Sequence, residues 1–303
     1  MKIEHILAGF IPEPRGRDGL ALAVLMARQA GARLTVAHVH APTWPTPGPG
    51  RIDAEWRAYV AEQAARSLEQ ARGVLADVTD VPIEYVFRGH RGSGRGLVQL
   101  VGTTRADVVV IGSAPGGVRD RIRIGSTADQ LLHASPVPVA LAPRGYEDGV
   151  PPGFRWLTAA YRRDPASDDA VRRAFRLAAQ MGVPLRLITL VVSGGRRARV
   201  EQEMFDRFRE RVAADLRAIA RGRRSVPVEM RVLEGGSVAA ALAGLDCEAS
   251  MLICASSETG PLRRVFLGDT SLKIIRAAPC PVMMLPRAPL RKPGSPRKPE
   301  KTG

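Results

Sequence analysis

Three segments of this chain recur 143 positions later, and three more recur 151 positions later. Asp107–Gly112 returns as Ser250–Ala255, Arg121–Thr127 as Arg264–Thr270, and Ser135–Pro143 as Ala278–Pro286. Nearer the N-terminus Ile6–Ala8 returns as Leu157–Ala159, Asp18 as Asp169, and Gly31–Ala37 as Gly182–Ile188. A repeat of this length constrains the fold more than any local propensity, because whatever path the first copy takes the second must be able to take too. Two copies of one domain, residues 1–145 and 154–287, joined near Gly145 to Gly153, are the economical account. The difference between the two offsets falls between the second and fourth strands, where the first copy carries Pro42-Thr-Trp-Pro-Thr-Pro-Gly-Pro-Gly50.

Within each copy, strand-like apolar runs alternate with helix-spaced stripes. In the first copy Ile6–Phe10 reads as a strand, Asp18–Ala30 as a helix behind an Asp cap, and Leu34–Val39 as a second strand. Asp53–Leu75 follows as a long amphipathic helix, Ile83–Phe87 as a strand, Leu97–Thr103 as a short helix, and Val108–Ile111 as a strand apolar on both faces. Ser126–His133 makes the last helix and Val137–Ala142 the last strand, whose Pro136 and Pro138 suit an edge position or a strand start. The second copy repeats the order over Trp156–Ala160, Asp168–Gln180, Leu185–Val192, Ala198–Ala220, Val228–Leu233, Val238–Leu245, Met251–Cys254, Thr270–Ala277 and Val282–Leu285. Such alternation builds a mostly parallel sheet covered by helices on both faces, so the fold expected is α/β and Rossmann-like, in two tandem five-stranded copies.

Composition narrows where such a chain works. No run nears the roughly 18 apolar residues of a membrane helix, and Met1-Lys2-Ile3-Glu4-His5 sets an acid where a signal peptide would be apolar. Cys247, Cys254 and Cys280 form neither a C-x-x-C pair nor an even set at metal-ligand spacing, which argues against a disulfide framework and against zinc. A cytoplasmic location is expected. The net charge of +15 invites a nucleic-acid reading, but residues 287–303 alone carry six basic side chains against one acidic. The segment 288–303 is rich in proline, lacks aromatic rings for base stacking, and reads as a disordered basic tail. Nucleic-acid binding is therefore the weaker reading, and no membrane partner is expected.

The strand and helix order, a glycine ending strand four (Gly112), Gly125-Ser126 opening helix four, and the closing strand Ser135-Pro-Val-Pro-Val139 together resemble the universal stress protein family. The resemblance covers residues 1–287 and looks like the family's tandem form. It implies a five-stranded parallel sheet per copy, pseudo-twofold pairing of the copies within the chain, and in one subgroup ATP, with Mg2+, held without efficient turnover. ATP-holding members resemble one another in G-x2-G-x9-G-[ST], in which glycines let the backbone approach phosphates and the last pair opens a helix. Carried onto this chain, the nucleotide-binding residues are Val39, whose backbone would meet the base, and Gly112, Gly116, Gly125, Ser126 and Thr127 at the phosphates. Pro115 stands where the middle glycine is expected, with Gly116 one position late. Arg119, Arg121 and Arg123 keep the loop attractive to an anion. The acid that ends strand one in ATP-holding members has Ile11 and Tyr161 at the aligned positions. In the second copy Ala255, Glu258, Gly268 and Asp269 occupy the motif, and its two carboxylates would repel phosphate.

Elsewhere the glycine-rich turn Gly89–Gly96 lacks a P-loop ending and has Glu234-Gly-Gly-Ser237 as its counterpart, which favours a turn with a serine helix cap. Arg91 and Arg95 remain candidates to reach phosphate. No G-x-S-x-G elbow and no recurring Cys, His and acid set appears, so no catalytic residue is assigned and the chain is expected not to be an enzyme beyond low-turnover ATP hydrolysis. His38 and His40 lack a third metal ligand and read as core or rim residues. The leading expectation is a stress-response regulatory module that binds ATP or a related adenine nucleotide in its first copy. The alternative is a nucleotide-free scaffold that forms homodimers through the last strands, Val137–Ala142 and Val282–Leu285, read as lying near sheet edges.

Overall fold

The computed structural model describes residues 1–40, 52–162, 165–192, 226–255 and 269–286, with isolated positions between 193 and 225. The proline-rich stretch Pro42–Gly50, much of the helix expected over Ala198–Ala220, and the basic tail lie outside the described residues. The first repeat runs β1 (His5–Gly9), α1 (Pro14–Ala30), β2 (Arg33–His40), α2 (Ile52–Val74), β3 (Ile83–Gly89), α3 (Ser93–Thr104), β4 (Val108–Gly112), α4 (Ser126–Ala134) and β5 (Val139–Ala142). After a short 3-10 turn, Tyr146–Gly149, the second repeat runs β6 (Trp156–Ala160), α5 (Pro165–Met181), β7 (Leu185–Val192), β8 (Val228–Gly235), α6 (Val238–Leu242), β9 (Ser250–Ala255), α7 (Asp269–Ala277) and β10 (Val282–Leu285).

The ten strands among the described residues form one sheet in the order β3-β2-β1-β4-β5-β10-β9-β6-β7-β8. Every pairing is parallel except the one between β5 and β10, where Ala140 faces Met283 across the join of the repeats. The expectation that the last strands lie near sheet edges is therefore corrected: β5 and β10 hydrogen-bond to each other at the centre, and β3 and β8 are the outer strands. Val137 precedes β5, whose pairing with β4 opens where the Val109 N–H donates to the Pro138 carbonyl at 2.9 Å. The shorter offset is localised by the registers. Leu34 pairs with Ile83, 49 positions on, whereas its counterpart Leu185 pairs with Val228, 43 positions on, so most of the shortening lies between β7 and β8.

Alternating strand residues supply two cores. Ile6, Ala8, Val108 and Val110 face the layer of α1, α2 and α5, while Leu7, Val109 and Leu141 face α3, α4, α6 and α7. Burial on both faces is why these strands read as continuous apolar runs. The first core runs unbroken from Ile3 through Phe154 and Leu157 to Leu285, so both repeats share it.

Helix α1 begins at Pro14, not at Asp18. Proline is favoured in the first turn, where an N–H has no helical partner. Asp18 sits inside the helix, 1% exposed, and its carboxylate accepts the N–H groups of Gly145 and Glu147, each at 3.0 Å. The residue read as a cap thus ties α1 to the turn that joins the repeats.

His5 is buried at the start of β1. Its Nδ1 lies 3.0 Å from the Thr104 carbonyl and therefore donates, leaving Nε2 to accept from the Thr35 hydroxyl at 2.7 Å. Burial holds the His5 pKa below the ordinary 6.5, and burial does the same at His38, whose Nδ1 lies 3.1 Å from the Phe10 carbonyl. Below 6.5 the unfolded chain takes up protons at these positions before the folded one does, so stability is lost as pH falls through that value. The expected slope is up to about 1.4 kcal/mol per pH unit for each histidine. Urea denaturation at about pH 7.5 and pH 5.5, for the wild type and His5→Gln, checks this; the variant should show the shallower dependence.

Candidate functional site

The sheet order reverses between β1 and β4, and a parallel sheet opens a crevice at the carboxyl ends of its strands where this happens. A cleft of about 110 Å³ lies there, between Gly9, Phe10 and Ile11 after β1 and Ile111 and Gly112 at the end of β4. Ala37 and Val39 of β2, Ser93 and Leu97 of α3, Arg15 and Gly16 of α1, and Thr127 of α4 complete its lining.

Val39 is placed to present backbone, not only side chain. Pairing of β1 with β2 ends at Gly9 and Ala37, whose carbonyl accepts the Phe10 N–H at 2.8 Å, whereas pairing of β2 with β3 continues to His40. The Ala37 carbonyl points toward β1 and the His40 carbonyl toward β3, where it accepts the His90 N–H at 2.9 Å. By the two-residue alternation of a strand, the Val39 N–H and C=O face the β1 side, beyond the last β1 bond.

Helix α4 brings its amino end to the same place. Its cap residue, Gly125, has no side chain to satisfy the first N–H groups. Thr127, in the first turn, is held by its hydroxyl 2.6 Å from that of Ser93. The first turn of α3 is docked onto α4 by the Gln130 side-chain carbonyl, which accepts the Arg95 N–H at 3.2 Å. A Cβ on Gly94 would come within 2.7 Å of the Thr127 carbonyl, so the glycine there permits the two helices to meet.

Between Gly112 and Gly125 the loop is closed on itself. The Ala114 N–H donates to the Arg123 carbonyl at 2.9 Å, and the Arg123 N–H donates to the Ser113 hydroxyl at 2.8 Å. Gly116 turns the chain in the left-handed region, φ +74°, which suits glycine one position after a proline. The arginines expected to keep this loop attractive to an anion each hold a contact in or beside it. Arg123 donates to the Pro115 carbonyl at 2.8 Å, Arg121 to the Asp120 carbonyl at 3.0 Å, and Arg119 pairs with Asp148 at 2.9 Å. Arg91 and Arg95 are exposed and do not line the cleft.

Of the six residues singled out in the sequence, Val39, Gly112 and Thr127 line the cleft. Gly125 and Ser126 stand beside Thr127 at the start of α4. Gly116 lies in a neighbouring cleft of about 490 Å³ that shares Arg15 with the first. Sequence reasoning missed Phe10 and Arg15; the signal for Arg15 was Pro14, which marks a helix start before Asp18. The alignment at the end of strand one also moves by one. The Phe10 N–H bonds Ala37 and the Tyr161 N–H bonds Ile188 at 2.7 Å, so Phe10 and Tyr161 are the equivalent pair, and Ile11 corresponds to Arg162. No carboxylate lines the β1–β4 cleft among the described residues. In the second repeat Tyr161 is packed in the core, and Glu258 and Gly268 fall outside the described residues. Ser237 caps α6 there, accepting the Ala240 N–H at 3.1 Å.

The sequence profile described as Universal stress protein family matches residues 2–143 and 154–286. A universal stress protein of Mycobacterium tuberculosis is 38% identical over 290 residues, spanning 93% of this chain and 99% of its own. One of Mycolicibacterium smegmatis is 26% identical over 282 residues, spanning 86% and 90%. A solved universal stress protein from Archaeoglobus fulgidus overlays 95% of this chain and 100% of its own with a TM-score of 0.63 and 16% identity, a likeness of fold. Among the described residues no helix is long and apolar enough to cross a membrane.

Proposed function

Because this chain belongs to the universal stress protein family in its tandem form, we propose that its first repeat binds an adenine nucleotide and that the chain works as a cytoplasmic, non-enzymatic regulatory module. The observation that carries this reading is the uncapped amino end of α4 opening beside the β1–β4 cleft. Free N–H groups and the helix dipole favour an anion there. The base would lie against Phe10, Val39 and Leu97, with the outward-facing Val39 N–H and C=O as its hydrogen-bond partners, and the phosphates would reach Ser126 and Thr127. Mg2+ would accompany a triphosphate. Turnover would need a group to activate water, and among the described residues the cleft lining offers no acid or histidine for that.

A nucleotide-free scaffold is the second reading, and Gly112 is what favours it. A Cβ at Gly112 would fall inside the Arg15 carbonyl oxygen, so the close approach that glycine permits is already taken by α1.

Calorimetric titration with ATP and with adenosine, with and without Mg2+, separates the two. The wild type should bind ATP, and Ser126→Glu, which keeps a good first-turn residue but adds a negative charge, should weaken ATP by at least about tenfold while leaving adenosine unchanged. A wild type that binds neither at millimolar concentration overturns the nucleotide reading and leaves the scaffold.

A further inference from the structure

The three cysteines of the chain meet in the core of the second repeat. Cys247 lies in the turn between α6 and β9, Cys280 in the turn between α7 and β10, and Cys254 on β9 itself. The Cys247 carbonyl accepts the Ser250 N–H at 3.1 Å as β9 begins, and the Pro281 carbonyl accepts the Leu252 N–H at 2.9 Å as β10 begins. With Leu252 in register with Val282, the two turns emerge side by side at one end of neighbouring parallel strands. Cys247 and Cys280 both pack into the second core together with Cys254, and each thiol lies near enough to shift the acidity of the other. Cys280 is 3% exposed and Cys254 2%, whereas Cys247 is partly open to solvent, so a small oxidant can reach only one of the three.

The surroundings divide the roles. Hydrogen bonding with the Cys280 thiol holds Cys247 below the ordinary thiol value, and the nearby charges of Arg186 and Arg121 add to this against the opposing effects of burial and Asp246. Arg186 is fixed in place, donating to the Asp246 carbonyl at 2.8 Å and to Glu229 at 2.6 Å. The same thiol bond and burial push Cys280 up, and burial pushes Cys254 up to about 12. A partly exposed thiol made more acidic beside cationic groups, with a second, buried thiol next to it, is the arrangement of an attacking and a resolving cysteine.

We propose that Cys247 and Cys280 form a reversible modification site that is oxidised by hydroperoxides to an internal disulfide. The Cys247 thiolate sulfur attacks one oxygen of hydrogen peroxide; the O–O bond breaks, and the departing hydroxide takes a proton to leave as water. The resulting sulfenic acid is attacked by the Cys280 sulfur, which gives up its proton. An S–S bond forms, the S–O bond breaks, and a second water leaves. Two thiols are oxidised by two electrons, one peroxide is reduced to two waters, and a dithiol reductant reverses the change.

The test uses the full chain, reduced, desalted, exposed to hydrogen peroxide, then denatured with iodoacetamide and weighed intact. The wild type should lose about 2 Da and keep one alkylatable thiol of three, with Cys247 joined to Cys280 in the peptide map. Cys254→Ser should behave the same way. Cys280→Ser should instead accumulate a Cys247 sulfenic acid that dimedone traps, and Cys247→Ser should keep both remaining thiols free. Three alkylatable thiols after treatment, a bond that includes Cys254, or a bond between chains would each overturn the proposal. Thermal melting of the reduced variants at the wild-type temperature shows that the serines have not disturbed the fold.

Discussion

Gly112→Ala should destabilise the folded chain by about 3 kcal/mol or more, and lower its melting temperature by at least about 6 °C. The added methyl would point at the Arg15 carbonyl, which belongs to the first turn of α1 and has no rotamer by which to move aside. The reverse side of the contact is equally tight. A Cβ on Gly19 would lie 2.9 Å from the Gly112 nitrogen, so helix and strand meet through facing glycines. Either α1 shifts along β4, pulling Leu20 and Val24 from the first core, or the end of β4 distorts and carries Gly112 out of the cleft. Gly73→Ala is the control, since a Cβ there meets nothing within 4 Å on helix α2. It should be neutral or stabilising by up to about 1 kcal/mol. Thermal melts of the two variants decide the matter, and a Gly112→Ala protein that melts with the wild type would place α1 elsewhere.

The second large effect is expected where the repeats hold each other. Gln180 on α5 accepts the Ile3 N–H at 2.9 Å and donates to the carbonyls of Ile3 at 2.7 Å and Ala30 at 2.8 Å. Gln29 on α1 accepts the Phe154 N–H at 2.7 Å and donates to the Phe154 carbonyl at 3.3 Å. Each glutamine thus clamps the backbone just before the first strand of the other repeat. At about 1 kcal/mol per bond lost, Gln180→Ala should cost about 3 kcal/mol and Gln29→Ala about 2 kcal/mol. Gln180→Glu should be worse than alanine, because a carboxylate cannot donate to the two carbonyls it would face. Urea midpoints for the three variants test this order; equal stability of the alanine and glutamate variants would show that the amide is not engaged.

These two contacts also show what a sequence can disclose. The 151-residue offset already equates Gln29 with Gln180 and Ile3 with Phe154, and α1 and α5 begin and end 151 positions apart. The fold class, the alternation of elements and the repeat were legible because they rest on local apolar periodicity. That one amide would reach across to the other copy was not, since a polar side chain aimed between repeats leaves no period in the chain. The central pairing of β5 with β10 was hidden for the same reason: Pro136 and Pro138 mark a strand start and say nothing of its neighbour. In the cleft lining, Gly112 and Thr127 were legible through the motif and its neighbour, and Val39 through the family resemblance. Phe10 and Arg15 were not, because their place in the cleft depends on where α1 begins. Cys280 meets Cys247 and Cys254 only because β9 and β10 are neighbours.

The antiparallel join of β5 and β10 carries a consequence for inheritance as well as for stability. Two copies that dock within one chain do so at an effective concentration in the millimolar range, so dilution cannot part them. A symmetric pair of separate chains would receive every substitution twice, once on each side of the join. Here a substitution lands on one side only, and each half need fit only the particular partner to which it is tethered. One half is thereby free to keep a cleft while the other fills the equivalent position with Tyr161 and gathers its cysteines instead.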